Sequence, residues 1–388
     1  MEGPEGTRSP DTGGTELALV MSGGGARAAY QVGFLAAVAE RAPAFAPRIL
    51  TGVSAGAINT AYLAATPGRI AALVDGLAEL WLGLRPDDVM DASALKTGRL
   101  AFAWGMRLLS GGRFRPKRLQ GLIDTAPLRE FLFRALRSED GSLPGIARKI
   151  EGGELDAVAV TASSYTSGGT VTFCQGRDVT NWERPYRKGR AAELRVEHIM
   201  ASSSLPLFFP AIELEDGWYG DGGIRLTAPL APAVHLGARR ILAISTRADP
   251  KGGEVPVEKG PYPPPSQIGS ALMNAIFLDQ FDGDAIRMQS MNRLIEHTPQ
   301  EQRGGLRHVD LEVFRPSVDL GGLANEYEAK LPRPLRFMLR GTGTAETRSN
   351  DFLSLIMFQH DYIRRLLAIG RADAEAQMPR IEAFLARS

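Results

Sequence analysis

ILTGVSAGAINTAYLAA, residues 49–65, decides the fold by the order of its parts. Ile49–Val53 is a short apolar run that reads as a buried strand, and Ala55–Ala65 reads as the helix after it. Between them Gly52-Val53-Ser54-Ala55-Gly56 fits G-x-S-x-G at the junction where that motif does its work. A sharp strand-to-helix turn leaves no room for side chains two residues either side of the serine. Glycine is therefore needed at both places, and the Ser54 hydroxyl stands out at the carboxyl edge of the sheet. The following helix aims its N-terminus at negative charge developing there. Read alone, the five residues are also those of a plain Gly/Ser turn, and the strand–helix context favours a nucleophile.

Upstream, Leu17–Met21 (LALVM) reads as a first strand and Ala28–Arg41 as a helix, with Gly23-Gly24-Gly25-Ala26-Arg27 between them. Three glycines before a helix expose backbone N–H groups, an anion cradle for a phosphate or a transition-state oxyanion. No Gly-Lys-Ser/Thr follows, so it is not a P-loop. As a dinucleotide fingerprint it is partial, and no acidic residue stands at a strand end about 20 residues on. With a serine elbow about thirty residues later, an oxyanion hole is the better reading.

Downstream, Asp156–Thr161, Thr170–Phe173, Arg240–Thr246 and His308–Phe314 read as strands and Leu194–Ser202 as a helix; Glu215-Asp216-Gly217 turns a hairpin. Strand–helix alternation with apolar strands implies an α/β protein with a mostly parallel sheet covered on both faces. Residues 76–150 are expected to form a helical cap insertion, 250–265 a Pro/Gly-rich loop, and 350–388 a helix packing back on the body. Residues 1–16 read as a disordered tail.

Composition excludes several classes. The 388 residues are 44% hydrophobic and 23% charged, so global disorder is ruled out. A net charge of +1 argues against a nucleic-acid binder that works by bulk charge. The single cysteine, Cys174, allows neither an internal disulfide nor a cysteine-cluster metal site. No signal-peptide h-region or membrane-spanning run is apparent, since the uncharged stretch Ile49–Gly68 is broken by Gly52, Gly56, Asn59 and Pro67. The expectation is a cytoplasmic protein, peripheral at a membrane if it meets one.

Ser54 needs a proton acceptor. His198, His235, His297, His308 and His360 all sit in helical patterns, strand starts or surface-like contexts, and none follows a strand in a small-residue loop. Asp221-Gly222-Gly223, after the short strand Trp218–Gly220, is the other candidate: buried beside a serine, Asp221 would be desolvated and a stronger base. Alone, it is also an ordinary Asp-Gly turn. Asp279, Asp282 and Asp284 lack calcium-loop spacing and read as a solvated helix face.

Together these residues resemble the patatin-like phospholipase family, which combines a G-G-G-x-R/K-G loop, a G-x-S-x-G elbow and a D-G-G/A motif in that order. Here they are Gly23–Ala28, Gly52–Gly56 and Asp221–Gly223, joined by a family-like Ala201–Pro206 segment. The resemblance covers residues 17–236 as catalytic domain, with 237–388 as a C-terminal extension completing the sheet. It implies a three-layer α/β/α fold with a helical C-terminal extension, Ser54 as nucleophile, Asp221 as base without a histidine, Gly23–Arg27 as oxyanion hole, and Gly52, Gly56, Gly222 and Gly223 as supports. It also implies hydrolysis of phospholipid or lysophospholipid esters through an acyl-enzyme, with no cofactor or metal. Ala28 stands where the family has glycine. The alternatives are a generic carboxylesterase on neutral or short esters and a weakly active lipid-binding protein of the same fold.

Between Asp91 and Asp124 lie seven basic residues and no acid. Arg99, Arg107, Arg113, Arg115, Lys117 and Arg118, interleaved with Phe102 and Trp104, read either as a patch for an anionic membrane or as a cap helix with its arginines in water.

Overall fold

The computed structural model of the protein describes residues 17–90, 123–206, 208–248, 279–331 and 351–387, with isolated positions between them. One mixed sheet runs through the described chain. Its strands are β1 (Leu17–Met21), β2 (Ile49–Val53), β3 (Ala157–Ser164), β4 (Thr170–Gly176), β5 (Trp182–Arg184), β6 (Arg187–Ala191), β7 (Ile212–Leu214), β8 (Gly217–Asp221), β9 (Arg240–Ile244) and β10 (Asp310–Phe314). The main order is β10-β9-β1-β2-β3-β4-β6-β5, and β8 pairs with β3 and β7. From β10 through β3 every pairing is parallel, while β4 and β8 meet β3 antiparallel.

Both faces of the parallel part are covered, and its central strands β1 and β2 are buried from end to end. Side chains alternate: Leu17, Leu19 and Met21 enter one core, and Ala18 and Val20 the other. The first core is closed by α1 (Ala28–Arg41), α2 (Ala55–Ala65) and α3 (Ile70–Gly83). In chain order the helices continue as α4 (Pro86–Val89), α5 (Ala126–Ala135), α6 (Pro144–Glu151), α7 (Val196–Ser202), α8 (Ala231–His235), α9 (Asp279–Glu296) and α10 (Leu320–Asn325). Three more close the chain, α11 (Asp351–Ile356), α12 (His360–Ala376) and α13 (Met378–Leu385). α8 and α9 cover the second face through Ala233, Phe281 and Ala285. Strand order reverses at β1, between β2 and β9, so the glycine loop after β1 lies at the switch point where open α/β sheets place ligands.

The structure corrects several sequence expectations. The C-terminal helix expected from near Asn350 is three helices, α11 to α13, and the break at 357–359 turns Phe358 toward Trp81, ring centroids 6.5 Å apart. β5 and β6 carry no strand signal in the sequence, because their Trp-Glu-Arg and Arg-Lys-Gly-Arg-Ala runs show no apolar alternation. They form the charged edge of the sheet, where charge deters further pairing. The acidic residues of α9 are not a solvated face: Asp284 is buried and accepts the Leu230 N–H at 2.9 Å, and Asp282 pairs with Arg315. The side chain of Asp279 lies outside the described residues. Of the expected cap, α4, α5 and α6 are described and its middle is not. No described helix is long and apolar enough to cross a membrane.

Candidate active site

β3 is the ruler of the site. β2 pairs along one of its edges up to Val53↔Thr161, and β8 takes over that same edge at the next residue, Asp221↔Ala162. The edge belongs to both because β4 occupies the opposite one from Ala157 to Ser163. The residue after β2 is Ser54 and the last of β8 is Asp221. Residues separated by 167 positions thus meet, and Ser54 Oγ donates to Asp221 Oδ2 at 2.6 Å.

Ser54 has φ 55° and ψ −131°, a conformation that a non-glycine residue holds only under constraint. The constraint is visible on both sides of its backbone. Its N–H donates to Ser202 Oγ at 2.9 Å, and its carbonyl accepts from Ser203 Oγ at 3.1 Å. Ser202 in turn donates to the Thr161 carbonyl at 2.7 Å, tying the elbow to β3. The tightness of the turn shows at Gly56, where a Cβ would stand 2.4 Å from the Met21 carbonyl oxygen. In sequence the Ser202-Ser203-Ser204 run reads only as part of a family-like segment. Its work becomes visible when α7 sets it under the elbow.

Asp221 is 1% exposed. Burial pushes its carboxyl up to about 7, although the Ser54 hydroxyl and the Gly223 N–H, 2.8 Å from Oδ1, pull the other way. Desolvation dominates because a carboxylate loses more hydration on burial than two donors return. The aspartate is therefore far more basic than one in water, and it already accepts the hydrogen bond of the Ser54 hydroxyl.

The glycine loop lies beside this pair. Gly24 (φ 154°) and Gly25 (φ 53°) both face the cavity that holds Ser54 and Asp221. Thr246 Oγ1 donates to the Gly23 carbonyl at 2.6 Å, and Gln31 Nε2 donates to the Ser22 carbonyl at 2.9 Å, so the loop's carbonyls point into the protein. Gln31 joins a buried chain that runs through Asn59 to the Trp81 indole. Of the loop residues Gly23–Arg27 expected at an oxyanion hole, Arg27 has its N–H turned onto the Gly24 carbonyl at 3.0 Å. Its side chain points away, to Asp351 and Ser354.

A cavity opens beside Ser54 and Asp221. Among the described residues that line it Asp221 is the only charged one; Ile58, Trp81, Leu128, Phe131, Leu355 and Phe358 make its walls apolar. The C-terminal wall residues carry no sequence motif, so only packing could reveal them.

None of the five histidines lines the cavity. His198 is held at about 4 by burial, its Nδ1 accepts the Arg195 N–H at 3.0 Å, and its ring packs on Phe173. His235 stacks on Trp182, and His308 sits between Glu296 and Asp310. Among the described residues no cluster of His, Cys, Asp and Glu could hold a metal ion. Of the basic–aromatic stretch, Arg99, Phe102, Trp104, Arg107, Arg115, Lys117 and Arg118 lie outside the described residues.

Three comparisons bear on this arrangement. The chain resembles human GIVD cytosolic phospholipase A2, solved with methyl gamma-linolenyl fluorophosphonate, at 13% identity and a TM-score of 0.48, covering 95% of this chain and 58% of that one. It resembles VipD from Legionella pneumophila at 14% identity and a TM-score of 0.37, covering 92% and 67%. The chain thus spans less than two thirds of the human enzyme's length. No curated protein sequence matches it. The family model for patatin-like phospholipase matches residues 19–234, more than half of the chain and all three glycine-containing motifs, and on that match the protein belongs to the patatin-like phospholipase family.

Proposed function

We propose that the protein hydrolyses carboxylic esters of lipids, phospholipid or lysophospholipid, with Ser54 as nucleophile and Asp221 as base. The observation that carries this reading is the 2.6 Å Ser54–Asp221 hydrogen bond at the wall of an apolar cavity. Asp221 takes the hydroxyl proton as Ser54 Oγ bonds to the ester carbonyl carbon. The oxyanion turns to the N–H groups of Gly24 and Gly25, each good donor contributing about 3–4 kcal/mol. The carbon–oxygen bond to the alcohol then breaks, and Asp221 returns the proton to the leaving oxygen. A water gives its proton to Asp221 and attacks the acyl-enzyme; the bond to Ser54 Oγ breaks, Asp221 returns that proton to Oγ, and the fatty acid leaves. The apolar walls suit an acyl chain, with the head group left toward the cavity mouth.

The test is hydrolysis of a soluble chromogenic ester by wild type and its loss in Ser54→Ala, followed by profiling against phospholipid, lysophospholipid and neutral esters. Exclusive cleavage of neutral esters would assign a carboxylesterase instead. Because Asp221 must be ionised to act and its pKa is raised, kcat/KM should rise as pH increases through about 7 and level off above it. A rise centred near 4 would show a solvated carboxylate and contradict the burial argument.

The basic stretch from Lys96 to Arg118 supports a second element of the proposal, peripheral contact with an anionic membrane surface. Changing Arg113, Arg115, Lys117 and Arg118 to Gln should lower activity on anionic vesicles and spare the soluble ester. Equal losses on both substrates would mean that the segment is a structural cap.

A further inference from the structure

The glycine loop is held from outside the family-matched region. Arg27 is 2% exposed and stands two residues after Gly25. Its Nε donates to Ser354 Oγ at 2.5 Å, and its Nη2 donates to the Asp351 carboxylate and, at 3.4 Å, to the Asp351 carbonyl. Ser354 Oγ donates to that same carbonyl at 2.6 Å, so the acceptors are themselves fixed by the first turn of α11. The contact continues along the helix. A Cβ on Gly25 would stand 2.0 Å from the Leu355 carbonyl oxygen, so the loop backbone lies directly against α11. Leu355 and Ile356 then line the cavity itself. α12, which follows α11, is seated on α1 with Gly370 against the Tyr30 carbonyl, anchoring the whole C-terminal segment to the helix that the loop begins.

We propose that Asp351 and Ser354 are positioning residues of the reaction: through Arg27 they set where the Gly24 and Gly25 N–H groups stand relative to Ser54. This rests on the reading of Ser54 and the glycine loop given above. A loop of three glycines has little conformational preference of its own. Something outside it must choose one conformation, and errors near 1 Å in donor placement lower rates by about 100-fold. The buried guanidinium supplies that choice. It is planar and forked, and its donors are divided between a carboxylate, a carbonyl and a hydroxyl that all lie on one turn of helix. The same arrangement occupies the one cation of the loop, leaving Arg27 directed at the protein and not at a substrate head group.

The test is kcat and KM on the soluble chromogenic ester, alongside thermal unfolding. Asp351→Asn should lower kcat by about 100-fold with KM little changed. That substitution leaves the Arg27 charge buried without its carboxylate, so Arg27→Met/Asp351→Leu, which removes both charges at similar volume, is measured with it. The double variant should unfold near the wild-type midpoint and still lose kcat. Ser354→Ala removes one acceptor only and should show a smaller loss, again in kcat, and Asp351→Glu should recover part of the Asn variant's deficit. Wild-type kcat in any of the folded loss variants, or a loss confined to KM, overturns the positioning role and leaves the Ser54 reading standing. Wild type without Ser54-dependent turnover overturns that reading and this proposal together.

Discussion

Asp221→Asn is expected to abolish ester turnover as completely as Ser54→Ala, each by about 10⁴-fold or more, because members of one catalytic unit are not additive. Oδ2 is the group 2.6 Å from the Ser54 hydroxyl, and among the described residues that line the cavity Asp221 is the only charged one. Single changes of His198, His235, His297, His308 and His360 to Ala should leave most activity, since none lines the cavity. An essential histidine in a folded variant would refute the dyad. The same variant should show the cost of the site. The Asp221 pKa is raised from 3.8 to about 7 in the folded protein, so the fold loses stability as pH climbs from about 4 to about 7, where the unfolded chain's carboxyl ionises and the buried one stays protonated. Asparagine never ionises. At pH 8 Asp221→Asn should therefore unfold at a higher temperature than wild type, and the difference should shrink toward pH 4. A lower midpoint at pH 8 would mean that the carboxylate is better solvated than its burial indicates.

Gly25→Val is expected to lower kcat by about 100-fold or more, the loss that follows removal of an oxyanion donor. Two effects coincide at this position. The backbone is left-handed, at φ 53°, which a β-branched residue resists, and the new Cβ would meet the Leu355 carbonyl at 2.0 Å. The loop or α11 must move. Gly304 separates the two causes: its φ is 55°, yet nothing stands within 4 Å of its missing Cβ. Gly304→Val should share the backbone strain, lowering stability by about 1–2 kcal/mol, and keep kcat. Full activity in Gly25→Val would remove the loop from the mechanism, and an equal kcat loss in Gly304→Val would show that the activity loss reflects strain alone.

Both predictions use residues that are legible in sequence, and much of the fold is legible too. The first strands and helices fall where their apolar runs and glycine boundaries put them, because β2 is buried from end to end and α1 and α2 over most of their length, so their period and punctuation survive in the chain. Ser54, Asp221 and the glycines are legible for a related reason: sharp turns and close approaches admit few residue types, so the geometry leaves its mark in the motif. The polar edge hairpin of β5 and β6 carries no such mark, since an exposed strand needs no apolar alternation.

By itself, then, the sequence determined which residues could do chemistry and that a mostly parallel, doubly covered sheet would carry them. Only the tertiary structure decided how they meet. The handover from β2 to β8 along one edge of β3 is a matter of register, a long-range pairing that local periodicity does not encode. The same is true of the C-terminal contribution. Asp351, Ser354 and Leu355 read as ordinary helix residues, and they become part of the site because α11 packs against a loop more than 320 residues earlier in the chain. Burial, too, is a tertiary property. An aspartate before two glycines is a turn in the sequence, and its carboxyl is pushed up to about 7 only when the assembled sheet excludes water from around it.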